Sequence, residues 1–353
     1  MRMLKKLIAN IEPLDQAAMA AADRHWSAIA HPLGSLGLLE ESITHIAGIT
    51  GTANFDISRR AVVAMCADNG VVEEGISQTG QEVTAIVTEN MAVGNASVCA
   101  MARVARADVI PVDIGVARTV EGAVIRQKNV RRGTANMTKG PSMTREEAEQ
   151  AILAGIEIVR ELKEAGYGLL ATGEMGIGNT TTSSAVTAVL LNVPVAEVTG
   201  RGAGLSSEGL ERKIRAIKKA IEVNQPDPSD PVDVLAKVGG LDICGLVGVF
   251  LGGAIYRIPV LVDGFISSVA ALATVRLCPT AKEYMLGSHA SDEPAGRMVL
   301  DAIGLRPFLY AGMRLGEGTG AVAVIPLLDM GLAVYRDMCT FEDTDIEAYQ
   351  PLT

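Results

Sequence analysis

The chain has 353 residues, 48% of them hydrophobic and 20% charged, which excludes intrinsic disorder and allows one large domain or two modest ones. A formal charge of −10 argues against nucleic acid as the main partner, because a phosphate backbone demands a basic surface. Aromatic residues make up only 3%, so the core must be aliphatic and rich in Ala and Gly.

Residues 1–55 read as helical. An Ala-rich stretch over 14–29 is broken by His31-Pro32-Leu33-Gly34, and the helical pattern resumes over 38–49. No apolar stretch of signal-peptide length accompanies Lys5 and Lys6. The five cysteines lack C-x-x-C spacing and His companions, which reads as buried free thiols in a reducing compartment, with the cytoplasm as the expected location and no metal site.

From residue 60 onward strands and helices alternate. The apolar run 61–67 predicts a strand covered on both faces, followed by a helix around 93–104 and a strand over 109–116. Thr144-Arg145-Glu146-Glu147 is a capping box opening a long amphipathic helix that ends at Gly166. A strand over 167–171 follows, then an apolar helix around 246–256 and a strand over 258–262. The longest uninterrupted apolar run, 243–256, falls short of the ~20 residues that a membrane span needs. This rhythm predicts an α/β fold built on a doubly wound, Rossmann-like parallel sheet.

The candidate strands run into acidic residues at their C-terminal ends: Asp68, Asp113, Glu174 and Asp263. One such acid is ordinarily a turn former or a helix cap. Four of them, at the end of a parallel sheet where ligands bind, point to a site for a polar or cationic ligand.

Residues 171–186 carry the strongest chemical signal. An apolar strand breaks into Gly173, Gly176 and Gly178, and Asn179 with five hydroxyl residues then leads into an apolar helix. Such a junction offers backbone N–H groups and a positive dipole end to an anion. The spacing matches neither G-x-G-x-x-G nor G-x-x-x-x-G-K-[ST]. Glu174 is read as lying inside this loop, where it would repel a phosphate unless it faces something else. A second signal is Met313-Arg-Leu-Gly-Glu-Gly-Thr-Gly, which places Glu317 between two glycines ahead of an apolar helix over 321–328. Glu317 reads equally as a general base desolvated beside Met313 and Leu315, or as a charge favouring a helix N-terminus.

Four motifs in this order, Glu174-Met-Gly-Ile-Gly-Asn-Thr-Thr, Lys237-Val-Gly-Gly-Leu-Asp, Val262-Asp-Gly-Phe and Arg314-Leu-Gly-Glu-Gly-Thr-Gly, resemble those of the nicotinate-nucleotide–dimethylbenzimidazole phosphoribosyltransferase family. The resemblance extends over nearly the whole chain. It implies transfer of the 5-phosphoribosyl group of nicotinate mononucleotide to 5,6-dimethylbenzimidazole, a step in making the lower ligand of cobamides, with no cofactor. It also implies a large domain over 60–290, and a smaller helical domain from 1–59 plus 291–353 that carries Glu317. A homodimer, or a heterodimer with a paralogue, is expected.

By the same resemblance Glu317 is the general base, and Glu174 is a second catalytic carboxylate beside the cationic glycosidic bond. Gly176, Gly178, Asn179, Thr180 and Gly202 are implied to bind phosphate and ribose, with Ser291, Lys213 and Asp263. For Lys213 the competing reading is a solvated helix face shared with Arg212, Arg215, Lys218 and Lys219. The implied acceptor pocket comprises Pro32, Thr79, Val87, Met175, Met313 and Leu315. Val87 stands where many family members have Gln, which favours a less polar acceptor. A phenolic acceptor such as phenol or p-cresol is therefore the alternative.

Overall fold

A computed structural model describes residues 2–349. Three helices open the chain: α1 (Arg2–Ile8), α2 (Gln16–Ala28) and α3 (Leu38–Thr50). Strand β1 (Arg60–Ala67), helices α4 (Glu82–Ala92) and α5 (Ser97–Ala105), and strands β2 (Asp108–Gly115) and β3 (Arg126–Gln127) follow. Helix α6 (Arg145–Glu164) leads to β4 (Leu169–Met175), then to α7 (Asn179–Leu191), α8 (Val195–Val198), α9 (Ser207–Asn224), α10 (Pro231–Val238) and α11 (Leu241–Tyr256). The chain continues through β5 (Val260–Val262), α12 (Phe265–Leu277), β6 (Met285–Gly287), α13 (Gly296–Ile303) and α14 (Thr319–Asp337).

The six strands form one parallel sheet in the order β3-β2-β1-β4-β5-β6. Chain order reverses between β1 and β4, so the crevice of a doubly wound sheet opens at the C-terminal ends of these two strands. Every residue of β1 is buried. Ala61, Val63 and Met65 join a core with residues of α6 and α11, while Val62, Ala64 and Cys66 join another with residues of α2, α3 and α14. Helices α2, α3 and α14, from the two terminal segments, thus cover one face of the sheet. Of those segments, Met1 and residues 350–353 lie outside the described residues.

Several boundaries differ from the sequence reading. Strand β4 continues through Met175, so Glu174 belongs to the strand and not to the loop; register with β1 holds as far as Cys66↔Met175. The helix expected around 93–104 begins only at Ser97, as α5; Gly94, with φ 81°, separates it from α4, which was not anticipated. Strands β3 and β6 were not anticipated, because two or three residues show no readable alternation. Thr144 and Glu147 do form the reciprocal capping box. Cys339 is exposed, unlike the other four cysteines. Helix α14 extends well beyond 328 and is long and apolar enough to cross a membrane, yet 56% of its apolar window is buried in the protein.

Candidate active site

The crevice at the switch point is a cavity of about 220 Å³. One wall is the β4–α7 junction, where Gly176, Gly178, Asn179 and Thr180 line the opening. Gly178 (φ 92°) turns the chain into α7, and the amide of Ile177 is held by the Thr84 hydroxyl at 3.1 Å.

A second part of the wall is the turn before α14. Gly316, Glu317 and Gly318 are consecutive left-handed residues with φ of 89°, 61° and 96°. Glycine takes this conformation freely, whereas a glutamate there is strained by about 1–2 kcal/mol. The turn is pinned on several sides. Asp263 accepts from the amides of Gly318 (3.2 Å) and Ala321 (2.9 Å), and the Thr319 hydroxyl donates to the Gly316 carbonyl (2.8 Å). A Cβ on Gly173 would collide with the Glu317 main chain, so this glycine lets the turn lie directly on β4.

The two glutamates brought together here sit in different environments. Glu317 is half-buried, and its Oε2 accepts from the Val98 amide at 3.1 Å, at the N-terminus of α5. A helix N-terminus is therefore involved, but it is that of α5 and not that of the helix following the turn. Glu174 is 6% exposed and accepts from the side chain of Asn179, with the main chain of the Glu317 turn close by. Burial, with Asp242 and Asp263 nearby, pushes its carboxyl up to about 8.

Lys213 does not lie on a solvated helix face. It is 1% exposed, donating to the Thr180 hydroxyl (2.8 Å) and the Gly200 carbonyl (3.1 Å) just behind the cavity wall. Burial pulls its ammonium down to about 8, against the pull of Glu293. Gly202, Ser291 and Asp263 line the cavity, although both Asp263 oxygens are occupied by the α14 terminus.

Of the residues expected around an acceptor, Met175 and Leu315 line the cavity. The others do not. Pro32 is exposed on the loop between α2 and α3, Thr79 is exposed ahead of α4, and Val87 packs from α4 into the same core as Met175. Met313 contributes its carbonyl to the Asp292 amide at 3.0 Å.

The polar residues of the wall that sequence reasoning overlooked include Arg201, Ser267, Glu293 and Arg314. Arg201 carried a usable signal, since it lies between Gly200 and Gly202 just as Glu317 lies between two glycines. The hydroxyl of Ser267 and Oε2 of Glu293 are buried without a hydrogen-bond partner among the described residues. His289 also lines the cavity, its Nδ1 3.1 Å from the Ser288 hydroxyl. Among the described residues no group of three or more His, Cys, Asp or Glu side chains is disposed to hold a metal ion.

A glycine loop leading into a helix N-terminus, a buried amine and two dissimilar carboxylates around one cavity suit a substrate carrying both negative and positive charge. Comparison with known proteins agrees. A family model described as phosphoribosyltransferase matches residues 11–346. The chain is similar to the nicotinate-nucleotide–dimethylbenzimidazole phosphoribosyltransferases of Acetivibrio thermocellus and Ruminiclostridium cellulolyticum, at 50% and 48% identity over 99% of both chains in each pair. It also superposes on the crystal structure of CobT from Thermus thermophilus with a TM-score of 0.89 at 38% identity, covering 94% of this chain and 99% of that one. With close to half of its residues shared along its full length, the chain belongs to the nicotinate-nucleotide–dimethylbenzimidazole phosphoribosyltransferase family, enzymes that transfer a ribose phosphate.

Proposed function

We propose that the protein moves the 5-phosphoribosyl group of nicotinate mononucleotide to 5,6-dimethylbenzimidazole, releasing nicotinate and forming α-ribazole 5′-phosphate. The observation that carries this reading is a single cavity lined by the glycine–hydroxyl loop, which is backed by buried Lys213, and by Glu174 and Glu317.

Gly176, Gly178, Asn179, Thr180, Gly202 and Ser291 hold the donor's phosphate and ribose. Lys213 supports that wall from behind through Thr180. Asp263 acts by fixing the turn that carries Glu317. Glu174 faces the pyridinium and C1′, where positive charge develops as the glycosidic bond lengthens.

As that bond breaks, its electron pair stays on the pyridine nitrogen and nicotinate leaves with a neutral ring. One benzimidazole nitrogen attacks C1′ from the opposite face, inverting the centre from β to α. Glu317 accepts the proton from the other nitrogen, leaving a neutral ribosylated base. Met175 and Leu315 present apolar surface to the acceptor ring. Pro32, Thr79, Val87 and Met313 are assigned to the acceptor side in a second rank, outside the cavity wall.

We assign residues 60–290 to the large domain and the terminal segments to a smaller one, in a cytoplasmic dimer; light scattering on the eluting protein tests the assembly. The reaction is tested by mass spectrometry of the products from nicotinate mononucleotide and an equimolar panel of dimethylbenzimidazole, adenine, phenol and p-cresol. The α-riboside phosphate of dimethylbenzimidazole should dominate. Exclusive formation of a phenolic riboside would overturn the acceptor.

A further inference from the structure

Asp242 ends the Lys237-Val-Gly-Gly-Leu-Asp motif, and nothing so far gives it a task. It lies in the first turn of α11 and is completely buried. Its Oδ1 accepts from the Ile243 amide at 3.0 Å, while Oδ2 has no hydrogen-bond partner among the described residues. A Cβ built on Gly176 would stand 2.9 Å from that oxygen, so the Asp242 carboxylate is packed directly behind the glycine loop of the cavity.

Asn179 connects this buried acid to the site. Its amide donates to Oε2 of Glu174, and the same side chain lies close enough to Asp242 to interact with it electrostatically. Carboxyl, amide and carboxyl are thus neighbours between the first turn of α11 and the cavity wall. A buried carboxylate without full hydrogen bonding is costly, and one placed beside another acid is costlier still.

We infer that Asp242 is a positioning residue for Glu174: through Asn179 it holds the direction of the Glu174 carboxyl, and as a second buried acid it makes full charging of Glu174 depend on an arriving cation. This rests on the reading that Glu174 faces the donor's pyridinium. The groups around Glu174 are Asp242 from α11, Asp263 after β5, Glu317 from the turn before α14, Cys66 at the end of β1 and His289 on the cavity wall, with Asp68 near Asp242. Four of these six are carboxylic acids. Burial and its acidic neighbours push Glu174 up to about 8, and burial pushes Asp242 up to about 7. In the ligand-free protein near neutral pH the pair therefore retains a proton. A pyridinium arriving beside Glu174 favours the ionised form, and that proton passes to solvent.

The test is calorimetric titration of the intact protein with nicotinate mononucleotide across pH, in buffers of different ionisation enthalpy. Wild type should release close to one proton near pH 7, with donor affinity rising with pH and levelling above about pH 8. Asp242→Asn removes a like charge, so the midpoint of that rise should fall by about one pH unit and proton release at pH 7 should shrink. Asn179→Ser removes a donor that favours both carboxylates, so it should move the midpoint upward. Titration of the donor's own phosphate is common to every variant and cancels in the comparison.

A folded Asp242→Asn protein with an unmoved midpoint overturns the proposal. Should that variant fail to fold, an unmoved midpoint in Asn179→Ser does the same. Glu174→Gln separates the two levels. Retention of proton release there sinks the assignment of Glu174 itself, whereas its loss there, with Asp242→Asn unchanged, sinks only the role of Asp242.

Discussion

Glu174 and Glu317 line the same cavity, yet the fold treats them in opposite ways. Glu174 projects from a regular strand, sits almost wholly inside the protein and has other acids as neighbours. Glu317 occupies a left-handed turn between glycines, is half-buried and rests on the amide of a helix N-terminus. The first environment resists negative charge, whereas the second offers its carboxylate the amide of a helix N-terminus. In the proposed mechanism the two take different tasks: one meets a positively charged donor, and the other accepts a proton from the incoming base.

The sharpest way to break this contrast is to remove the proton acceptor alone. Glu317→Gln should lower kcat by about 10²–10⁴-fold while leaving the KM for nicotinate mononucleotide nearly unchanged. Steady-state rates at neutral pH test this, and near wild-type turnover would remove Glu317 as the base. Next is the contact that joins the two regions. Gly173→Ala places a methyl against the Glu317 main chain, so the turn must shift. A displacement of about 1 Å at a catalytic group costs roughly 10²-fold in rate, and kcat should fall to that extent although residue 173 touches no substrate.

Lys213→Met probes the anion-binding wall. The donor's KM should rise about tenfold with a smaller change in kcat, while the ligand-free protein keeps or gains thermal stability because a buried amine has been removed.

The smallest effect is on stability against pH. Glu174 and Asp242 bind their protons more tightly when folded, so their contribution is complete below about pH 4 and is lost as pH rises through about 7 to about 8. Lys213 binds its proton less tightly when folded, so its contribution is present above its unfolded value of 10.5 and is lost as pH falls through about 8. The Tm of the ligand-free protein should therefore pass through a shallow minimum near pH 8, and saturating donor should fill that minimum in. A monotonic profile in differential scanning calorimetry would contradict the signs assigned to these groups.

The sequence made the sheet readable because β1, β2 and β4 are nearly continuous apolar runs between helical segments, as parallel strands covered on both faces must be. The glycine-flanked glutamate and the glycine–hydroxyl loop were readable for a related reason, since unusual backbone demands unusual residues. What could not be read was proximity. Nothing local to Lys213 distinguishes it from the other cations of α9; only the packing of α9 against α7 buries it on Thr180. Asp242 likewise looks like an acid in an ordinary first helical turn, and its meeting with Asn179 depends on how α11 and α7 converge beyond the sheet. The end of β4 was misread because Gly173 resembles a strand terminator. Its absent side chain serves instead to admit the Glu317 turn.

The most direct test of the division between the two glutamates is donor binding alone, measured by calorimetry with nicotinate mononucleotide and no acceptor. Glu174→Gln should weaken binding at least about tenfold at pH 8, where the wild-type carboxylate is substantially ionised, while Glu317→Gln should bind as wild type does. Equal weakening in both variants, or weakening in Glu317→Gln alone, would contradict the assignment of the donor's charge to Glu174 and the acceptor's proton to Glu317.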